Sequence, residues 1–190
     1  MILVSQNLTN YDLPIPENSV FRINLAWVNS IEELKTLVEK HKDHRIFVDL
    51  PINRTKPPNN KYTLGDIVLI LEKYENIKYL AVSNVEKQEH LQEYIKSVPK
   101  NITIVPKIES HRGVDNIEEI TKMLDYDEQI VMLDHDDLYS NLLKSNISAN
   151  NFSIYINKLV EFTKKNNITL LRTIGIIFSD ETKSVSDYIR

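Results

Sequence analysis

Apolar segments of strand length alternate with amphipathic segments of helix length along this 190-residue chain, and that alternation limits its fold more than any other feature. Runs at Ile2–Ser5, Val20–Leu25, Arg45–Leu50, Ile77–Ser83, Ile102–Ile108, Gln129–His135 and Ile168–Thr173 read as strands. Helices are predicted from Ser30 to about His41, Thr63 to Tyr74, Glu86 to Val98, Gly113 to Leu124 and Phe152 to Lys165, with a short last one from Asp180 to Ile189. The polar, proline-bearing stretch from Asn53 to Lys61 reads as a loop. Strand–helix repetition implies a parallel sheet, and a repeat of about 25 residues is that of a (β/α) barrel. A closed barrel of this type has eight strands, whereas this sequence supplies about seven. The expected architecture is therefore one α/β domain over residues 1–190, a TIM-type barrel that is truncated or incomplete. Two open sheet edges need cover, which leads us to expect a homodimer or a partner chain across the seam.

Composition narrows the function. A net charge of −4 gives no basic footprint for nucleic acid. The absence of cysteine excludes disulfide and thiolate chemistry. Three glycines, Gly65, Gly113 and Gly175, cannot build a glycine-rich phosphate loop. No apolar run reaches membrane-spanning length, and the first residues lack a basic leader region, so the expected location is the cytoplasm. Trp27 is expected in the core or an interface.

The chemistry-bearing residues gather at strand ends. Alternation places Val105, Lys107 and Glu109 on one face of their strand, so a cation and an anion stand together at its C-terminal end. The next apolar run ends in Asp134, His135, Asp136 and Asp137, read here as a loop that either holds three carboxylates together or, by the alternation of Asp134 with Asp136, turns Asp134 outward. Arg22 with Asn24, Asp49 after Phe47, Ser83 after Ala81 and Thr173 after Leu171 follow the same pattern. Barrel enzymes build their sites at that end of the sheet. His135 is the right residue type to titrate near neutrality, although a histidine in a polar loop is usually just solvated.

These segments, taken in order, resemble the catalytic barrel of the pyruvate kinase family. Ile104-Val105-Pro106-Lys107-Ile108-Glu109-Ser110-His111-Arg112-Gly113-Val114 is similar to that family's lysine-isoleucine-glutamate segment. Phe21-Arg22-Ile23-Asn24 resembles its arginine-x-asparagine strand, and Phe47-Val48-Asp49-Leu50-Pro51 with Arg54-Thr55 its third strand and following turn. Leu80 to Val85 resembles the fourth strand end, Asp136-Asp137-Leu138 the glycine-aspartate-leucine segment, Leu171-Arg172-Thr173 the threonine strand, and Thr182 to Asp187 the segment after it. The likeness runs from about residue 20 onward. The family's lid domain is replaced here by the Asn53–Lys61 loop, and the eighth strand and C-terminal domain have no counterpart in this sequence.

The resemblance implies a set of roles. Glu109 and Asp137 would ligate Mg²⁺ or Mn²⁺. Lys107 would stabilise an enolate or transferring phosphoryl oxygen. Thr173 would pass a proton to or from the methylene carbon. Arg22 would hold the carboxylate or phosphate of a small anionic 2-oxo acid or enolpyruvate, with Ser83 and Asp136 beside it. Asn24 and Asp49 match two ligands of the family's monovalent-cation site, but Ala26 stands where a serine is expected, which argues against K⁺. Asp136 replaces a glycine and adds negative charge that repels an anion. Without a lid, autonomous ATP-forming activity is not expected. Two other readings stay open. One is a metal-dependent aldolase or lyase similar to citrate lyase β-subunits. The other is a non-catalytic barrel retained for binding or regulation.

Overall fold

The computed structural model describes residues 1–5, 18–52 and 61–172. Thr173, the Arg54-Thr55 turn, the predicted last helix and the Thr182–Asp187 segment lie outside the described residues. Seven strands form one all-parallel sheet: β1 (Leu3–Ser5), β2 (Val20–Asn24), β3 (Arg45–Leu50), β4 (Ile77–Val82), β5 (Thr103–Ile108), β6 (Ile130–Leu133) and β7 (Thr169–Arg172). Each strand pairs with its neighbours in chain order, with β1 and β7 at the two ends. Among the described residues this order never reverses, so they form no switch point of the doubly wound kind, and the sheet is a half-barrel.

Strand alternation divides the apolar residues between two faces. Ile23, Val48, Leu80, Ile104 and Leu133 pack under the helices, whereas Val20, Phe47, Tyr79, Ala81, Val105, Met132 and Leu171 form a smaller cluster on the inner face. The register sets Asn24 opposite Asp49, Asp49 opposite Ala81 and Lys107 opposite Met132. Inner-face polar residues consequently collect at the C-terminal edge of adjacent strands.

The helices follow their capping signals. In α1 (Ile31–Lys40), Ser30 Oγ accepts the Glu33 N–H at 3.1 Å, while the Glu33 carboxylate reaches one residue further, to the Asn29 N–H at 2.7 Å. Before α2 (Leu64–Lys73), the Asp66 carboxylate accepts from both the backbone N–H and the hydroxyl of Thr63, each at 2.7 Å. Two predicted helices are broken. The 86–98 segment is a 3₁₀ turn at Gln88–Leu91 followed by α3 (Gln92–Ser97). The 113–124 segment is α4 (His111–Asp115) and α5 (Ile117–Lys122), joined at Asn116, whose side chain donates to Glu86 O at 2.8 Å. The carboxylate-rich loop expected after β6 is instead the start of α6 (His135–Lys144). The last described helix, α7 (Phe152–Lys165), begins and ends where the periodicity predicts. Trp27 is 55% exposed on the 3₁₀ turn after β2, so it belongs to the surface and not to the core.

Gly113 lets α4 seat directly on the segment that carries the site. A Cβ there would lie 2.7 Å from Val85 O and 3.3 Å from Ile108 Cγ2. Val85 N–H in turn donates to Lys107 O at 3.2 Å, so any shift is passed to the strand end. Gly113→Ala should lose about 1–3 kcal/mol of stability. Urea unfolding should show a lower midpoint with an unchanged slope; an unchanged midpoint would mean that the contact yields freely.

Candidate metal and anion site at the strand ends

The C-terminal edge of the sheet opens into a cavity of about 170 Å³. Arg22 and Asn24 from β2, Asp49 from β3, Lys107 from β5 and Ser83 and Glu109 just past their strands line one side. Asp134, Asp137, Ser140, Asn141 and Lys144 line the other, from the end of β6 along α6. Among the described residues, seven charged groups share this small space. Three are cations and four are carboxylates, leaving one excess negative charge. A divalent cation would invert that sign to the one an anionic ligand needs.

Four of the charges form a linked quartet. Asp49, only 1% exposed, accepts from Arg22 through Nε at 3.2 Å and also through Nη2. Lys107 Nζ lies 3.5 Å from Asp49, 2.9 Å from Glu109 and 3.2 Å from Ser83 Oγ. Lys107 and Glu109 are both buried, so this is not a weak, solvated surface pair. Burial opposes the charged form of Lys107, but Asp49 and then Glu109 outweigh it and hold its pKa above the usual lysine value. Burial likewise opposes ionised Asp49, but Lys107 and Arg22 hold its pKa below the usual carboxylate range. For Glu109 burial prevails: its pKa is pushed up, because the Lys107 charge and the Asn84 N–H offset only part of the lost hydration.

Asn84 fixes the Glu109 carboxylate. Its backbone sits at φ 55°, the left-handed region that asparagine tolerates. From there its N–H donates to Glu109 Oε2 at 2.6 Å, while its side chain donates to Ile52 O at 2.6 Å. Glu109 is thereby held from two sides, by Lys107 on one oxygen and Asn84 on the other.

Across the cavity, Glu109, Asp134 and Asp137 each place a carboxylate oxygen within 4.8 Å of the others. Hard divalent cations are bound at such carboxylate sets, with oxygen distances of about 2.0–2.6 Å. The donor chemistry therefore suits a hard divalent cation and selects no particular metal. Asp134 is the member missing from the expected ligand pair, Glu109 and Asp137; of the two placements the sequence left open for it, the structure shows the one inside the carboxylate set. It is the N-cap of α6, and its Oδ1 accepts the Asp137 N–H at 3.2 Å. Its cap signal was present: an aspartate followed by acidic residues and then by Leu138 and Leu142 four apart. Asp136 is exposed on the first turn of α6, outside the residues that line the cavity. His135 is half-buried, lies on α6 and meets Arg172, with Arg172 Nε 3.3 Å from its Nε2.

The expected monovalent-cation pair is engaged otherwise. Asp49 is neutralised by two cations, and Asn24 Oδ1 accepts the Ala26 N–H at 3.0 Å to cap the 3₁₀ turn. A third cation beside Arg22 and Lys107 would be repelled, so these residues do not fit K⁺. Arg22 and Ser83 do reach the cavity, although Arg22 spends two of its five donors on Asp49.

No protein-family model and no curated protein matches the sequence. Among solved structures, the fold is similar to that of RipC from Yersinia pestis, with a TM-score of 0.59 and 17% identity, over 85% of this chain and 72% of that one. That structure is one of 266 matching chains, so the likeness identifies a widely used fold and no particular activity. Among the described residues, no helix is long and apolar enough to cross a membrane.

Proposed function

We propose that this protein binds a small 2-oxo acid or enolpyruvate beside a divalent cation and stabilises the enolate form, in the manner of the pyruvate kinase barrel. One observation carries the reading: three carboxylates converge within 4.8 Å beside a buried lysine ion-paired to one of them. Glu109, Asp134 and Asp137 would hold Mg²⁺ or Mn²⁺, which supplies Lewis-acid polarisation of the ligand's oxygens. Lys107 would stabilise the charge that develops on an enolate oxygen, and its carboxylate partners favour its charged form. The Arg22 donors not spent on Asp49 receive the ligand's carboxylate. Thr173, by the resemblance, exchanges the proton at the adjacent carbon. Proton exchange at pyruvate and decarboxylation of a β-keto acid are the reactions this set supports. Autonomous nucleotide phosphoryl transfer is not, because the sequence has no counterpart of the lid that would exclude water from the reacting phosphate.

Calorimetry with oxalate, an enolate mimic, tests this. Oxalate should bind in the presence of Mn²⁺ and at least about tenfold more weakly without it, and Glu109→Gln should abolish that metal dependence. Metal-independent binding, or an unaltered Glu109→Gln, would remove the metal from the reading. A second reading, a binding protein without turnover, is favoured by the commitment of both Arg22 and Lys107 to Asp49. It gives the same oxalate result without proton exchange.

A further inference from the structure

Helix α6 presents the cavity with a polar row that the enolate chemistry leaves unused. Asp137, Asn141 and Lys144 recur at the four- and three-residue spacings that share one helix face, with Ser140 at its margin. The opposite face, with Leu138 and Leu142, is buried in the core. Acidic residues occupy the end of the row nearest the strands, whereas the far end carries no carboxylate, only Ser140, Asn141 and the Lys144 cation. Among the described residues, no acceptor is recorded for Ser140 Oγ, Asn141 Nδ2 or Lys144 Nζ.

The orientation of Asn141 is fixed by its other end. Its Oδ1 accepts the His111 backbone N–H at 3.2 Å and lies 2.8 Å from His111 Nδ1. With the oxygen held by two nitrogens of one residue, the amide NH₂ is the end that remains for a ligand. The ammonium and the amide NH₂ offer only donors and the serine hydroxyl can rotate to add one, a set that suits an anion better than an apolar or cationic group.

We propose that the ligand of this site is a 2-oxo acid carrying a second anionic group, with its oxo-carboxylate end at the acidic cluster and its far anion at Ser140, Asn141 and Lys144. This rests on the function proposed above and specifies its substrate class. Asp137 and Lys144 are about 10 Å apart along the helix axis, from seven steps of 1.5 Å. Helical side chains lean toward the N-terminus, so the Lys144 ammonium closes much of that gap. A five-carbon dicarboxylate spans about 5 Å between its end carbons, which suits the remainder. The second anion is a carboxylate or a phosphonate-like group, and both have the same donor requirement.

Calorimetry in excess Mn²⁺ tests the assignment with three ligands: 2-oxoglutarate, 2-oxo-4-phosphonobutyrate and 2-oxopentanoate, which replaces the far anion by a methyl group. At least one charged ligand should bind about tenfold or more tightly than 2-oxopentanoate, and the tighter of the two identifies the far group. In Lys144→Met that ratio should fall toward one, whereas in Lys96→Met, an exposed lysine of α3, it should persist. Binding of 2-oxopentanoate without any advantage for the charged ligands overturns this assignment and leaves the enolate reading standing. An advantage that survives Lys144→Met also overturns it, and reduces Lys144 to a charge complementing the helix C-terminus. If none of the three binds in the presence of metal while oxalate does, this assignment fails and the enolate reading stands; if oxalate fails as well, both fall.

Discussion

Asp49→Asn should unfold at markedly lower urea concentration than the wild type, with a loss of about 3 kcal/mol, the low end of the roughly 3–5 kcal/mol typical when a buried ion pair loses one partner. The change preserves shape, so the loss is electrostatic. Asp49 is the shared anion of Arg22 and Lys107, and without it Glu109 alone faces two cations. Arg22 keeps a 21% exposed side chain and can recover some hydration, which places the loss near the lower figure. Adding Lys107→Met to Asp49→Asn should recover part of the stability, because the unmatched buried cation is then gone. Acid should erase the difference. The folded pKa of Asp49 lies below its ordinary value of 3.8, so its stabilisation is complete above that value and is lost as pH falls through the folded pKa. Urea midpoints of wild type and variant should therefore be far apart at pH 7 and converge in strong acid. Equal midpoints at pH 7 would show that the quartet contributes nothing to the fold.

The strands were legible because their signal is local. Arg45–Leu50 begins and ends where apolar alternation says, and the faces assigned by alternation are the faces the two apolar clusters occupy. The polar residues at the strand ends were legible for the same reason: period two fixes which side chains share a face. The acidic segment after β6 was misread because the wrong period was applied. Counted as extended chain, Asp134 groups with Asp136. Counted as helix, at about 100° per residue, Asp134 and Asp137 approach each other while Asp136 turns to solvent, as it does here. The break at Asn116 had no local signal, since the helical pattern runs through it and the side chain's partner, Glu86 O, is 30 residues away. The Arg22–Asp49 pair is also long-range and spans 27 residues. The sequence offered this pair only as the alternative to Arg22 holding a ligand, because alternation places both side chains at strand ends without saying whether they meet.

Lys107→Met should separate catalysis from ion binding by moving them in opposite directions. Incorporation of deuterium into the methyl group of pyruvate, followed by NMR in D₂O with saturating Mg²⁺, should fall by about 10²–10³-fold, the usual cost of removing one preorganised stabiliser of developing negative charge. Divalent-cation affinity should rise by about tenfold, or roughly 1.4 kcal/mol, because the ammonium 2.9 Å from Glu109 no longer competes for that carboxylate. The variant should gain more thermal stability from the ion than the wild type does. In its absence, burial would leave the Glu109 charge supported chiefly by the Asn84 N–H, and the raised pKa of Glu109 shows that burial already disfavours that charge in the wild type. General loss of structure would lower exchange and ion affinity together, so the opposed signs are the diagnostic outcome. Lys107→Arg should keep the charge but displace it, recovering ion competition more fully than exchange, since the planar guanidinium cannot occupy the compact position of an ammonium between Asp49, Ser83 and Glu109. If exchange persists in Lys107→Met at wild-type rate, the lysine is only a counter-ion to the two carboxylates, and the enolate chemistry has to be assigned to other groups.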